Sequence, residues 1–110
     1  MTISSHILGF PRIGAQRELK FALESFWRGD SDATALQHVA NTIKTKNWQT
    51  QIDAELSHIT VGDFAFYDQM LNQSLMLGCI PKRFEFDASS ITLAQTFDLA
   101  RGNAAQPAME

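Results

Sequence analysis

The chain has 110 residues, 45% of them apolar and 19% charged, with 9 Lys and Arg against 12 Asp and Glu for a formal net charge of −3. That length can bury one core, and the mildly acidic balance argues against a nucleic-acid partner, whose phosphates need a basic surface. No apolar run reaches the roughly 18 residues that span a bilayer, Met1-Thr-Ile-Ser-Ser-His6 carries no signal-peptide pattern, and the single Cys79 forms no intramolecular disulfide; together these predict a cytoplasmic protein with no membrane attachment.

Ile3, Ile7, Leu8 and Phe10 stand among small and polar residues, which predicts a short strand over Ile3–Phe10 running into a turn at Gly9–Gly14. Leu19, Ala22, Leu23, Phe26 and Trp27 then recur at helical spacing, with Gly29 as the stop. Asp30 and Ser31 are both suitable N-caps for a second helix. Its stripe Leu36, Val39, Ala40, Ile43 is out of phase with Trp48, Ile52, Leu56, so a bend or a second packing partner is expected between them. Ile59 and Val61 alternate within Ser57–Gly62, a second short strand. Asp63 is placed to cap a helix from Phe64 to about Leu77, ended by Gly78 and Pro81. Ser90 can cap a last helix carrying Leu93, Ala94, Phe97 and Ala100, stopped by Gly102. Two strands are too few for a free-standing parallel sheet, so the helical stripes need something further to pack against.

The turn Gly9-Phe-Pro-Arg-Ile-Gly14 and the following Arg17-Glu-Leu-Lys20 are the chemically most informative stretch. Arg17 and Lys20, three apart, share a helix face near its N-terminus, opposite the Leu19/Leu23/Trp27 stripe. Free N–H groups at a helix start attract an anion, and two cations beside them strengthen the attraction. The plainer alternative is a solvated charged face with Lys20 paired to Glu24.

Other candidates are weaker. His6, His38 and His58 follow no metal-ligand spacing. Asp63 and Asp68 could be paired carboxylates, although Asp63 as a helix cap explains it better. Cys79 reads as a packed thiol, Lys82-Arg83 as a solvated pair, and Trp27 and Trp48 as core.

Ile7-Leu-Gly-Phe-Pro-Arg-Ile-Gly14 followed by Arg17-Glu-Leu-Lys20 resembles the N-terminal signature of the cobalamin-independent methionine synthase family. The likeness continues at Val61-Gly-Asp-Phe-Ala-Phe-Tyr-Asp68 and at the helix end Leu75-Met-Leu-Gly78. It implies an α/β chain that begins a (β/α)8 barrel, one of two face-to-face barrels with the active site between them. In isolation the chain is expected to be predominantly helical with about two short strands, residues 1–102 forming the partial barrel and 103–110 a flexible tail or linker.

The resemblance also implies methyl transfer from 5-methyltetrahydropteroyltri-L-glutamate to homocysteine. It places Arg17, Glu18, Leu19 and Lys20 in the folate site, with the cations facing the polyglutamate carboxylates and the Leu19 side chain in the core. The family's zinc, held by His, Cys and Glu in the other barrel, and its homocysteine site have no counterpart in these residues. The chain alone is therefore expected to hold no cofactor and no catalytic residue, to be inactive, and to partner with the rest of the two-barrel enzyme. The competing reading, from the surplus of apolar helix face, is a non-catalytic helical domain that self-associates as a homodimer.

Overall fold

Glycine and aspartate punctuation divides the chain into four α-helices among the described residues, 2–109 of a computed structural model. They are α1 (Glu18–Arg28), α2 (Ala33–Asp53), α3 (Gln69–Leu77) and α4 (Leu93–Arg101), with a 3-10 turn at Lys82–Phe84. The chain forms two compact units, Met1–Phe66 and Tyr67–Glu110. None of the described helices is long and apolar enough to cross a membrane.

In the first unit α1 packs on α2, with Leu19 and Leu23 meeting a stripe that buries Leu36, Ala40 and Ile43. Gly29 closes α1 at φ 81°, donating to Phe26 O while Asp30 N donates to Ser25 O at 2.9 Å. This left-handed closure takes up Asp30. The cap of α2 therefore falls two residues later, on Asp32, whose side chain accepts from Ala35 N at 2.8 Å.

Where a bend or a second packing partner is expected between two stripes, α2 runs as one helix from Ala33 to Asp53. The stripe continues in phase through Asn47 and the buried Gln51, while Ile52 is 52% exposed. Two amides thus occupy the positions where an apolar pattern would have been sought, and each serves irregular backbone. Asn47 Nδ2 donates to Pro11 O at 3.2 Å, and Gln51 Oε1 accepts from Thr60 N at 2.7 Å.

The expected barrel opening with about two short strands is corrected by the structure: the chain is helical, and no strand forms among the described residues. The two segments in question do lie side by side. Ser5 N donates to Ser57 Oγ and Ser57 N to Ser5 Oγ, His58 N donates to Ser5 O at 3.1 Å, and Thr60 Oγ1 donates to Ile7 O at 2.6 Å. Phe10 N donates to Asp63 Oδ2 at 2.7 Å. The partners stay 52 or 53 residues apart, so the segments run in the same direction. Side chains, rather than a continuing backbone ladder, carry this seam, as suits two segments that lack the further strands a stable sheet requires.

Asp63 is committed to Phe10 N and does not cap α3, which begins after Asp68, whose carboxylate accepts from Leu71 N at 2.7 Å. Residues 64–66 precede it outside any helix, with Phe64 and Phe66 edge to face at 5.5 Å around the buried Ala65.

The second unit gathers Leu71, Phe84 and Leu99, with Leu75, Ile80, Phe86, Ala100 and Met109 against them. Its last helix is capped by Thr92 rather than Ser90, in a reciprocal capping box with Gln95. Arg83 is not merely solvated: it donates to Pro107 O and Ala108 O, both at 2.8 Å, and stacks on Phe84. Met109 N donates to Leu99 O, so residues 103–109 return along α4. Cys79, read from sequence as packed, is exposed.

Candidate functional site

The four motif residues diverge once folded. Leu19 is 1% exposed and belongs to the core of the first unit. Arg17 lies outside the helix as its N-cap, at φ 61° and ψ 33°, a left-handed conformation that residues with a Cβ rarely adopt. Lys20 pairs with Glu24 at 3.5 Å, as the spacing predicts, and its ammonium also lies 5.5 Å from the Phe21 ring centre. That pair is half exposed, so water and salt screen it and an external anion can compete for Lys20.

Glu18 turns back onto the chain. Its Oε2 accepts from Gln16 N at 2.9 Å. The Glu18 and Gln16 backbone N–H groups, with a smaller contribution from Lys46, hold its carboxyl below the usual value. Around it, Arg17 N donates to Gly14 O and Leu19 N to Ile13 O at 3.0 Å. Gly14 sits at φ 88°, and a side chain there would collide with Glu18 Oε2.

The turn borders two hollows. A cleft of about 640 Å³ lies between it and α2, floored by Phe10, Pro11, Val39 and Ile43 and edged by Glu18, His38 and Lys46. A smaller one of about 220 Å³ on the other side of Phe10 and Asn47 is lined by Arg12, Lys44, Gln51 and Asp63. Lys44 lies over the Phe64 ring at 5.5 Å. Asp63 and Asp68 serve different backbone amides, Phe10 N and Leu71 N, rather than acting as a carboxylate pair. Among the described residues no three His, Cys, Asp or Glu side chains gather in a metal-binding group.

The sequence marked the motif by its charges but put Arg17 on the helix face, whereas it stands just outside the helix, and it carried little sign of the Glu18 bond to Gln16 N or of Lys46 nearby. The one available signal was a glycine four residues before an acid at a helix start.

Over residues 4–110 the sequence matches the family described as Cobalamin-independent synthase, N-terminal domain. The chain belongs to this family. Among its relatives, proteins of Paraburkholderia phytofirmans and Paraburkholderia xenovorans are 64% and 61% identical over 106 residues, covering 96% of this chain. A Burkholderia thailandensis protein is 56% identical over 110 residues and covers 97% of it. All three are named 5-methyltetrahydropteroyltriglutamate–homocysteine methyltransferase, and the match takes up 14% of each. This member of the cobalamin-independent synthase family thus spans about one seventh of the length of those relatives.

Proposed function

We propose that the chain is the N-terminal portion of a methyltransferase that passes a methyl group from 5-methyltetrahydropteroyltriglutamate to homocysteine, and that it supplies part of the folate-binding site. The observation that carries this reading is the Arg17–Lys20 motif, standing at the start of α1 behind the Gly9–Gly14 turn in a chain of this family. The relatives' name specifies a donor with three glutamates, hence a string of carboxylates. Arg17 offers a planar guanidinium suited to carboxylate, and Lys20 a mobile ammonium held by a weak surface pair. Leu19 anchors the helix below them.

The role of these residues is to bind and orient the donor. The zinc implied for the family does not fit the described residues, among which no three His, Cys, Asp or Glu side chains come together to hold it. The chain alone is proposed to be inactive, completed by the remainder of a longer polypeptide, and the single cysteine supports a cytoplasmic setting.

Calorimetric titration with 5-methyltetrahydropteroyltriglutamate tests the reading. Saturable binding that weakens with salt, and in the Arg17→Ala plus Lys20→Ala double variant, is the expected result. Binding that is insensitive to both changes would refute the assignment.

A second reading, self-association, is favoured by apolar side chains left exposed on α3: Met70, Met76 and Leu77 are each at least 70% exposed. Sedimentation velocity distinguishes it, since a concentration-independent monomer eliminates it.

A further inference from the structure

An acidic side chain in the middle of a motif that is to hold a string of carboxylates is electrostatically out of place unless it is engaged elsewhere. We propose that Glu18 is a positioning residue, whose carboxylate clasps the Gly14–Glu18 turn and thereby holds Arg17 in the left-handed conformation from which it takes a ligand carboxylate. This role rests on the folate reading of Arg17 given above.

Glu18 Oε2 accepts from Gln16 N, the residue immediately before Arg17, at 2.9 Å. Arg17 is thereby bracketed. Its preceding amide is tied to the carboxylate of its following residue, and its own amide is tied to Gly14 O at 3.2 Å. A non-glycine residue persists at φ 61° when the surrounding bonds over-determine it, and these bonds do so. Gly14 contributes by omission: a Cβ there would occupy the space of the Glu18 carboxylate. Lys46, reaching from α2 to the same cleft edge, offsets the negative charge from the protein's own side. The carboxylate accepts from backbone amides of its own turn, and the Lys46 charge lies near enough to offset part of its repulsion of an anion arriving at Arg17. The motif then divides its labour: Arg17 and Lys20 contact ligand, Leu19 anchors, and Glu18 aims Arg17.

The decisive experiment is a double-mutant cycle on the full chain, titrated with 5-methyltetrahydropteroyltriglutamate. Loss of one charge-assisted contact weakens binding about tenfold, so Arg17→Ala and Glu18→Ala are each expected to do so. A residue that acts only through Arg17 adds no further loss in the Arg17→Ala background. Glu18→Gln, whose amide oxygen still accepts from Gln16 N, is expected to restore most of the binding. Two losses that add, or a Glu18→Ala variant that binds as the parent does, would overturn the positioning role while leaving Arg17 as a ligand contact. An Arg17→Ala variant that binds normally would instead sink the folate reading and the positioning role with it.

A ligand-free measurement accompanies the cycle. A positive φ gives Arg17 a strong intraresidue amide-to-Hα cross-peak in nuclear magnetic resonance, expected to fade in Glu18→Ala. Its persistence there would show that Glu18 does not hold the turn.

Discussion

Replacing Gln51 by Met keeps the length and helix propensity of the side chain but removes the acceptor of Thr60 N. Gln51 is 2% exposed, and the bond it loses is 2.7 Å long and partly buried. Stranding a buried donor costs about 1–3 kcal/mol. The second bond, Gln51 Nε2 to Asn47 O at 3.3 Å, reaches a carbonyl of its own helix and adds little. In return, a thioether methyl in place of the amide gains at most about 1 kcal/mol of transfer free energy. Gln51→Met is therefore expected to be less stable by about 1–2 kcal/mol. Gln51→Ala, which also leaves a void, is expected to lose about 2–4 kcal/mol. Urea unfolding followed through Trp27 and Trp48, both in the first unit, measures the difference. Hydrogen exchange at the Thr60 amide locates it. Should Gln51→Met match the parent in stability with Thr60 still protected, the amide merely fills space and the account of α2 is wrong.

Two further outcomes are expected. Glu55 sits at φ 59° just beyond α2, where Leu56 N donates to Gln51 O in a left-handed closure, so Glu55→Gly should stabilise by about 0.5–1 kcal/mol; an unchanged or lower melting midpoint would count against strain there. The Glu18 carboxyl is held below its usual value by hydrogen bonds to the charged form, so the clasp is intact at neutral pH and is lost as pH falls through that lowered value. The Gln16 amide shift should follow a titration midpoint below that of an unstructured glutamate, and a midpoint at or above it would contradict the hydrogen bonding described.

Helices were legible in the sequence where apolar spacing and glycine agreed, as at α1 with Leu19, Leu23 and Gly29. Caps were harder, because more than one Asp, Ser or Thr stood near the starts of α2, α3 and α4, and for α3 the deciding fact was remote. Asp63 was unavailable to α3 because Phe10 N, 53 residues away, had claimed it. Asn47 and Gln51 hid the single stripe of α2, since a packed amide looks like a surface residue until its backbone partner is known. The strands were misjudged because alternation at Ile59 and Val61 records a preference for extended backbone, whereas a ladder depends on neighbours that these residues lack. In the motif, the cations were recognisable by charge. The left-handed Arg17 was not, because nothing in an arginine announces a positive φ.

A backbone ladder tolerates almost any side chain, but the seam between residues 5–10 and 57–63 is written in particular oxygens: the hydroxyls of Ser5, Ser57 and Thr60 and the carboxylate of Asp63. None of these residues is fully buried, so by exposure alone they would be counted among the positions free to drift. Their hydrogen bonds place them instead among the least replaceable. Changes as slight as Ser to Ala or Thr to Val would each remove one stitch while leaving the side chain's volume nearly the same.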